Sequence, residues 1–355
     1  PLVQELEKNK SINQILVTTS TLSSAQIFKK FNFKKTIHQF FPIDSILFSY
    51  KFLNYWKPTI AIFVESEIWP SIFKALNKKS IPLKLLNARI TKKTFNKWRR
   101  VKKFSNSVFQ NISIAYPQNE ETFNYLKKLN VKKIKKIGNL KFFNNQQSKL
   151  TKLDNTFLKN INLKKIWCAS STHPGEEIIC ADVHINLKKK YKNLLTIIIP
   201  RHIHRVNKIV NEIKSLDLNI VLHSSRPKKL NNTDIYLVDT YGETQKFYHS
   251  SDIVFMGKSI SGKGGQNPLE PTNLGSTVLY GPNVDNFKDT YKLLNKLKVA
   301  YKVNGVKSLT QSIDKLITKP NNKKNYLKIA KMGKKILNET KDEINSLFNN
   351  EIKKT

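Results

Sequence analysis

Short runs of apolar residues recur along the chain, and each run is followed by a polar cluster and then by a segment with helical spacing. Residues 59–64 and 194–199 are almost uninterrupted apolar runs, which is typical of strands buried on both faces of a parallel sheet. Shorter runs rich in β-branched residues favour further strands. We therefore predict strands at residues 15–19, 59–64, 81–86, 113–116 and 135–139, and in a second series at 165–170, 194–199, 219–222, 235–238, 251–256 and 277–280.

The two series of strand, loop and helix predict an α/β protein with two Rossmann-like domains. A length of 355 residues suits two domains of average size, and 20 phenylalanines can contribute to a core in each. Residues 144–160 are polar without clear periodicity and are interpreted as a linker. We place the N-terminal domain at residues 1–150, the C-terminal domain at 151–330 and a Lys-rich helical segment at 331–355.

The formal net charge is +38, and only six of the 63 basic residues are Arg. A protein that reads nucleic acid usually carries more Arg, because the guanidinium matches phosphates and base edges. No zinc-finger spacing or arginine-rich tract occurs, so nucleic acid is not the expected partner. Two interpretations stay open. The charge reflects a general Lys-rich composition, or it attracts the chain to an anionic surface such as a membrane leaflet, where each nearby Lys or Arg contributes about 1 kcal/mol.

The two cysteines, Cys168 and Cys180, lie in apolar surroundings and form neither a disulfide framework nor a paired metal-ligand spacing. We interpret both as core thiols, which fits a reducing, cytoplasmic compartment. No apolar run approaches the roughly 18–20 residues that a membrane-spanning helix needs.

A glycine-rich stretch follows the predicted strand 251–256, since five of the eleven glycines lie between Gly257 and Gly275. Such glycines let backbone N–H groups close on an anion, although a flexible surface loop has a similar composition. Asn267 is suited to cap a helix that starts at Pro268. Glu270 would then accept hydrogen bonds from a ribose diol. The candidate ligand-binding residues of this stretch are Gly264, Gly265, Asn267, Pro268, Leu269 and Glu270.

Polar residues also follow other predicted strands, and open parallel sheets bind ligands beyond those ends. Arg201 comes after Pro200 at the end of strand 194–199, where a guanidinium is suited to a phosphate. Tyr241, Gly242 and Glu243 follow strand 235–238 and form a loop suited to a nucleotide base or phosphate, although an ordinary capped turn has the same residues.

The N-terminal domain has its own strand-end clusters. Glu65 and Glu67 follow strand 59–64, and two carboxylates there are suited to orient an acceptor, act as a base or stabilise positive charge at an anomeric carbon. The alternative is a helix start, which favours acids. Arg89 and Lys141 follow later strands and are suited to a carboxylated sugar or an anionic acceptor.

From residue 1 to about residue 300, the chain resembles the 3-deoxy-D-manno-octulosonic acid (Kdo) transferases of lipopolysaccharide assembly. Seven motifs occur in order. They are Glu65-Ser66-Glu67-Ile68-Trp69-Pro70, Asn87-Ala88-Arg89, Gly138-Asn139-Leu140-Lys141-Phe142, Ser171-Thr172-His173 with Gly175-Glu176-Glu177, Pro200-Arg201-His202, Gly242-Glu243, and Gly264-Gly265 with Asn267-Pro268-Leu269-Glu270.

The resemblance implies a GT-B fold, in which two Rossmann-like domains face each other across a cleft, with the acceptor on the N-terminal domain and the donor on the C-terminal one. It implies transfer of Kdo from CMP-Kdo to a lipid A precursor (lipid IVA), with inversion, without an essential metal or other cofactor, at the cytoplasmic face of the inner membrane. It also implies that Glu65 and Lys141 help to stabilise the transition state. CMP would be held by Pro200, Arg201, Tyr241, Gly242, Glu243, Asn267 and Glu270.

The sequence departs from the family pattern at its start. In the family a first strand ends in Ser-x-Gly-Glu, whose glutamate is the proposed general base, and that motif would precede Pro1. A complete chain without it is expected to lack base-assisted transfer, whereas for a fragment the base lies upstream. Gln266 also stands where a His is usual, Pro174 interrupts the Ser-Thr-His segment, and residues 22–24 replace a glycine turn.

Two other functions remain as alternatives. One is a GT-B transferase or epimerase that uses another nucleotide sugar. The other is a catalytically incomplete, basic membrane-associated binding protein.

Overall fold

The structure is a computed structural model that describes residues 2–29, 31–143, 153–319 and 323–352. The chain divides into two compact units: Pro1–Phe143 together with Met332–Thr355, and Asn144–Lys331. The first boundary thus falls at the start of the expected linker 144–160, of which residues 144–152 lie outside the described residues. Residues from Met332 onward group with the first unit, whereas the sequence suggested a separate C-terminal segment.

Within the described residues, the first unit contains a two-stranded and a three-stranded sheet, both parallel. The predicted strands at 15–19, 59–64, 81–86 and 113–116 are confirmed with ends that shift by up to two residues. The central strand of the larger sheet is completely buried. The elements are α1 (Leu2–Leu6), β1 (Ile15–Thr19), α2 (Leu22–Lys29), β2 (Thr36–Phe40), α3 (Ile46–Trp56), β3 (Ala61–Val64), α4 (Pro70–Lys78), β4 (Leu83–Ala88), α5 (Lys92–Arg100), α6 (Lys102–Phe109), β5 (Ile114–Pro117) and α7 (Glu120–Lys128).

The strand predicted at 135–139 is wrong: these residues are all described and form no strand. Pairing begins, since Ala115 and Ile134 form an isolated parallel bridge. The backbone then leaves the extended conformation at Gly138, which has a φ of +121° and where a Cβ would lie 2.9 Å from Cδ1 of Ile336. The chain therefore bends away from β5 to pack under the C-terminal helix of the same unit.

Within the described residues, the second unit forms a seven-stranded parallel sheet with the order β12-β11-β10-β6-β7-β9-β8. All six strands predicted for this part are confirmed to within two residues at each end. The elements are α8 (Asn155–Asn162), β6 (Lys165–Thr172), α9 (Glu176–Lys188), β7 (Leu194–Pro200), α10 (Val206–Lys214), β8 (Ile220–Leu222), β9 (Ile235–Leu237), α11 (Thr244–His249), β10 (Ile253–Met256), α12 (Leu269–Asn273), β11 (Thr277–Tyr280), α13 (Lys288–Lys296), β12 (Ala300–Lys302) and α14 (Val306–Leu316). The last helix, α15 (Lys323–Ile352), starts in the second unit and belongs to the first unit from Met332 onward.

The core of the second unit lies on both faces of its central strands. Trp167, Ile198 and Phe255 are fully buried, and burying each such side chain contributes about 1.5–3 kcal/mol. Both cysteines are free and buried, as the sequence predicts, and burial raises the pKa of each thiol. A rigid central sheet of this kind fixes the positions of the loops that follow its strands.

Candidate functional site

The first unit carries a short ion pair at the carboxyl ends of its strands. Glu65 follows β3 with a left-handed backbone, at a φ of +59°, which costs a non-glycine residue about 1–3 kcal/mol. Two hydrogen bonds hold it there: the Glu65 N–H donates to the Leu86 carbonyl at 2.9 Å, and the Arg89 N–H donates to the Glu65 carbonyl at 3.2 Å. The Glu65 carboxylate lies 2.7 Å from the Lys141 ammonium.

Lys141 lies in a short 3-10 turn, Leu140–Phe142, that two asparagines fix in place. The side-chain oxygen of Asn139 accepts from the Lys141 N–H at 2.9 Å. That of the buried Asn87, on β4, accepts from the Leu140 N–H at 3.0 Å. The structure therefore brings together Glu65 and Lys141, two candidates that lie far apart in the sequence.

The acceptor-side candidates Glu67 and Arg89 follow β3 and β4, which are neighbours in one sheet. Glu67 accepts from the indole N–H of Trp69 at 2.8 Å and so stabilises the turn into α4. The Arg89 carbonyl accepts from the Ser66 hydroxyl at 2.9 Å. Both residues thus lie at the sheet edge that carries the Glu65–Lys141 pair, and their assignment to an acceptor stays a prediction.

In the second unit the strand order changes direction at β6, because β7 lies on one side of it and β10 on the other. Open parallel sheets bind ligands at such a point. The loops after β6, β7 and β10 meet there. The Arg201 N–H donates to the Thr172 carbonyl at 3.1 Å, and the Gly257 N–H donates to the Ser170 carbonyl at 2.8 Å.

The glycine-rich loop after β10 closes on a carboxylate of the same chain. Glu176, the first residue of α9, is fully buried. Its carboxylate accepts from the N–H groups of Lys258, Ser259 and Ile260 at 2.7, 3.0 and 3.0 Å. The sequence indicated that this loop would close on an anion. At these N–H groups the anion is Glu176 and not a ligand.

Gly264 and Gly265 pack against the turn that follows β11. Both have positive φ, of +91° and +66°, and a Cβ on Gly264 would collide with the side chain of Asn286. Asn267 then accepts from the Leu269 N–H at 3.2 Å, but the N-cap of the helix is Pro268 and not Asn267 as the sequence suggests. Helix α12 begins one residue later than expected, with Pro268 preceding its first residue.

Arg201 and Glu270 lie within electrostatic reach of each other. Both side chains reach the solvent, but the surrounding protein raises the pKa of the Glu270 carboxyl, and the positive charge of Arg201 partly opposes that rise. The pKa of the buried Tyr248 depends on both charges. Burial raises this pKa, Glu270 raises it further and Arg201 lowers it. The Tyr248 hydroxyl is 2.6 Å from Ser170 Oγ, at the end of β6.

Glu243, after β9, is held in a compact network. Its carboxylate accepts from the Thr240 hydroxyl and the Lys246 ammonium, each at 2.6 Å, and lies 2.9 Å from Nε2 of His223. Nδ1 of His223 is 2.7 Å from the Tyr236 hydroxyl. Burial alone raises the pKa of Glu243, but bonds from Lys246 and Thr240 and the nearby His223 outweigh it and lower the pKa to about 2. Glu243 is therefore a stable carboxylate that fixes its own loop.

The loop that Glu243 fixes exposes its other two candidates. Tyr241 is 72% exposed, so its ring is accessible to a ligand, and Gly242 turns the chain with a φ of +83°. Beside this loop is a pocket of about 590 Å³. It is lined by Leu153, Asp154, Phe157, His223, Ser224, Arg226, Pro227, Tyr236, Thr240, Glu243 and Lys246.

Two further observations concern only the described part of the chain. It contains no helix that is both long and apolar enough to cross a membrane. It also contains no group of three or more His, Cys, Asp or Glu side chains arranged to hold a metal ion.

Sequence reasoning assigned no role to Glu176 and overlooked His223. His223 directly follows β8, so the rule that found Arg201 at the end of β7 would also have found it. Glu176 and Glu177 follow a glycine between strand and helix, and both are fully buried. Acidic residues are common at the first turn of a helix, so the sequence did not indicate that these two are buried. Glu177 pairs with the Arg205 guanidinium through bonds of 2.9 and 3.1 Å.

Comparison with known proteins identifies relatives along nearly the whole chain. The family described as 3-Deoxy-D-manno-octulosonic-acid transferase (kdotransferase) matches residues 1–144. The chain is 33% identical to a 3-deoxy-D-manno-octulosonic acid transferase of Rickettsia bellii, over 98% of this chain and 84% of that protein. Identity to the transferase of Haemophilus influenzae is 28%, over 98% of this chain and 82% of that protein.

Among solved structures, the chain is similar to UDP-GlcNAc 2-epimerase from Neisseria meningitidis bound to UDP-GlcNAc. The TM-score is 0.61 at 16% sequence identity, over 98% of this chain and 95% of that one. At this identity the likeness concerns the fold.

Two α/β units built on parallel strands, together with the fold of the similar solved structure, define a protein of the GT-B fold class. The sequence identity to the Rickettsia bellii protein extends over almost the full length of the chain and therefore also identifies the family. The chain belongs to the family of 3-deoxy-D-manno-octulosonic acid transferases. The resemblance found from the seven sequence motifs is thereby confirmed.

Proposed function

We propose that the chain transfers Kdo from CMP-Kdo to a lipid A precursor, lipid IVA, in lipopolysaccharide biosynthesis, with inversion and without a metal or other cofactor. Membership of the family supports Kdo as the sugar that is transferred. The observation that carries the choice of donor is that Arg201 and Glu270 lie within electrostatic reach of each other after strands of the second unit, because one cation and one carboxylate suit the phosphate and the ribose diol of a nucleoside monophosphate.

In this proposal the second unit binds the donor. Arg201, after Pro200, holds the phosphate, and Glu270 accepts from the ribose hydroxyls. Gly264, Gly265, Asn267, Pro268 and Leu269 shape the turn and helix start that carry Glu270. The exposed Tyr241 contacts the nucleotide, on a loop that Gly242 turns and Glu243 fixes.

The first unit supplies the remaining charge. Loss of CMP leaves negative charge on the phosphate, and the sugar carries a carboxylate, so a preorganised cation stabilises the transition state. Lys141 is that cation, and Glu65, 2.7 Å away, orients it. Arg89 and Glu67 are assigned to the acceptor, whose anionic groups Arg89 matches.

The nucleotide tests the proposal directly. Calorimetry on the chain is expected to give CMP binding, with UDP bound roughly tenfold more weakly or worse, and radiolabelled Kdo should pass from CMP-Kdo to lipid IVA. Firm UDP binding without CMP binding would instead favour the transferase or epimerase that uses another nucleotide sugar.

We further propose that the chain works at an anionic inner-membrane surface, on its cytoplasmic face. The start of α3 exposes Ile46 and Leu47, at 58% and 61%, in a chain of net charge +38. Exposed apolar side chains on a strongly basic chain suit the interface of an anionic bilayer.

The double variant Ile46→Ser with Leu47→Ser tests this surface. We expect its affinity for phosphatidylglycerol vesicles in a sedimentation assay to fall about tenfold, because two side chains no longer insert into the acyl boundary. Leu163→Ser is the matched control, since Leu163 is 79% exposed but belongs to the second unit. Equal sedimentation of all three proteins would contradict the assignment of this surface.

A further inference from the structure

Glu176 joins two loops at the point where the strand order changes direction. Its Oε2 accepts from the His173 N–H, in the loop after β6, at 3.0 Å and from the Lys258 N–H, in the loop after β10, at 2.7 Å. Its Oε1 accepts from Ser259 and Ile260 at 3.0 Å each, and from Ser261 at 3.3 Å.

Four consecutive N–H groups that converge on one carboxylate form an anion-binding nest. The turn requires the left-handed conformation of Lys258, at a φ of +58°. In nucleotide-binding folds such a nest is open to a ligand phosphate. Here the Glu176 carboxylate of the same chain occupies the nest. Its five hydrogen bonds from backbone N–H groups compensate the cost of burying the carboxylate.

The two loops have no spare room between them. A Cβ on Gly257 would lie 2.5 Å from the Ser171 carbonyl oxygen and 2.8 Å from Oε2 of Glu176. Backbone contacts continue from the nest toward Glu270. The Gly265 N–H donates to the Lys258 carbonyl at 3.2 Å, and two residues later the Asn267 side chain accepts from the N–H of Leu269, which precedes Glu270 in α12.

We propose that Glu176 is a positioning residue for the donor: its carboxylate takes the place of a phosphate in the nest and fixes the loop that sets Glu270 beside Arg201. This proposal rests on the proposed function, because it assumes that Glu270 binds the nucleotide. It also assigns recognition of the donor phosphate to the side chain of Arg201, since the N–H groups of residues 258–261 are already occupied.

The test is Glu176→Gln, with Glu177→Gln as the matched control. Glutamine has the same shape but turns an N–H₂ group toward one set of backbone donors. Glu177 is the adjacent, equally buried carboxylate, and it contacts Arg205 and Thr172 instead of the loop. Amide hydrogen exchange across residues 257–265 and calorimetry with CMP are both measured at a temperature at which each variant is folded.

For Glu176→Gln we expect exchange across residues 258–261 to accelerate, and the Kd for CMP to rise about tenfold, while the Kd for the control stays within about twofold of wild type. With CMP-Kdo as substrate, KM should rise and kcat at saturation should change little, because the chemical groups are intact. If Glu176→Gln does not fold, Glu176→Asp serves, because it keeps the charge and draws it back from the nest.

Unchanged exchange in the loop would overturn the proposal whatever CMP does. Faster exchange with unchanged CMP affinity would also overturn it, because Glu176 would then only stabilise the fold. A wild-type chain that binds no CMP would overturn the proposed function and the donor half of this proposal, while the exchange result would still decide whether Glu176 holds the loop.

Discussion

Replacing Lys141 by methionine is expected to lower kcat for Kdo transfer by a factor of about a hundred to a thousand. Methionine keeps much of the length of the lysine stem but removes the charge that we assign to the transition state. KM for donor and acceptor should change by less than about fivefold, because an interaction made mainly in the transition state acts on kcat. Initial rates with CMP-Kdo and lipid IVA give both quantities.

Lys136→Met is the control, because Lys136 is also a surface lysine of the first unit paired with a glutamate, Glu120, at 2.6 Å. The two variants lose the same charge, and exposed ion pairs contribute only about 0–1 kcal/mol to stability. A general effect of charge or folding would therefore appear in both. A kcat for Lys141→Met within about threefold of the control would remove Lys141 from the mechanism.

The strands buried on both faces could be predicted from the sequence, because burial on two sides leaves a continuous apolar run. Strands β7 and β11 begin at the predicted residues. β2 was missed because its residues, Thr-Ile-His-Gln-Phe, are mostly exposed and half polar. β12 was missed because it has three residues, two of them exposed.

Strand-end reasoning found the charged residues of the site but not the contacts that hold them. Arg201 and Lys141 stand out because each follows an apolar run or a glycine turn. Four of the five partners of Glu176 are backbone N–H groups that lie 82 to 85 residues further along the chain. Backbone groups have no signature in the sequence. The composition of the loop therefore indicated an anion without indicating that the anion is a side chain of the same chain.

The second large effect is expected at the donor. Arg201→Ala should raise the Kd for CMP about 30- to 100-fold, because a hydrogen bond to a charged group contributes about 1.5–3 kcal/mol. Cytidine has no phosphate, so calorimetry should give the same Kd for cytidine with the wild type and with Arg201→Ala. Arg100→Ala, at an exposed arginine of the first unit, removes the same charge and should leave the CMP affinity unchanged. An equal loss for CMP and cytidine would mean that Arg201 does not bind the phosphate.

A substitution of Glu270, unlike one of Arg201, should affect CMP and cytidine alike. Glu270→Gln is expected to weaken CMP and cytidine equally, by about tenfold, because both ligands carry the ribose diol. Wild-type binding of cytidine should also weaken as the pH falls. The pKa of Glu270 is raised by the surrounding protein, so this carboxylate is protonated at a higher pH than an ordinary glutamate and then loses its capacity to accept from both hydroxyls. Cytidine is the ligand for this measurement because it has no phosphate, and protonation of its cytosine N3 affects binding to the two proteins equally. The loss of affinity at low pH should therefore be smaller in Glu270→Gln than in wild type; if the two pH profiles are the same, Glu270 is not the acceptor for the ribose.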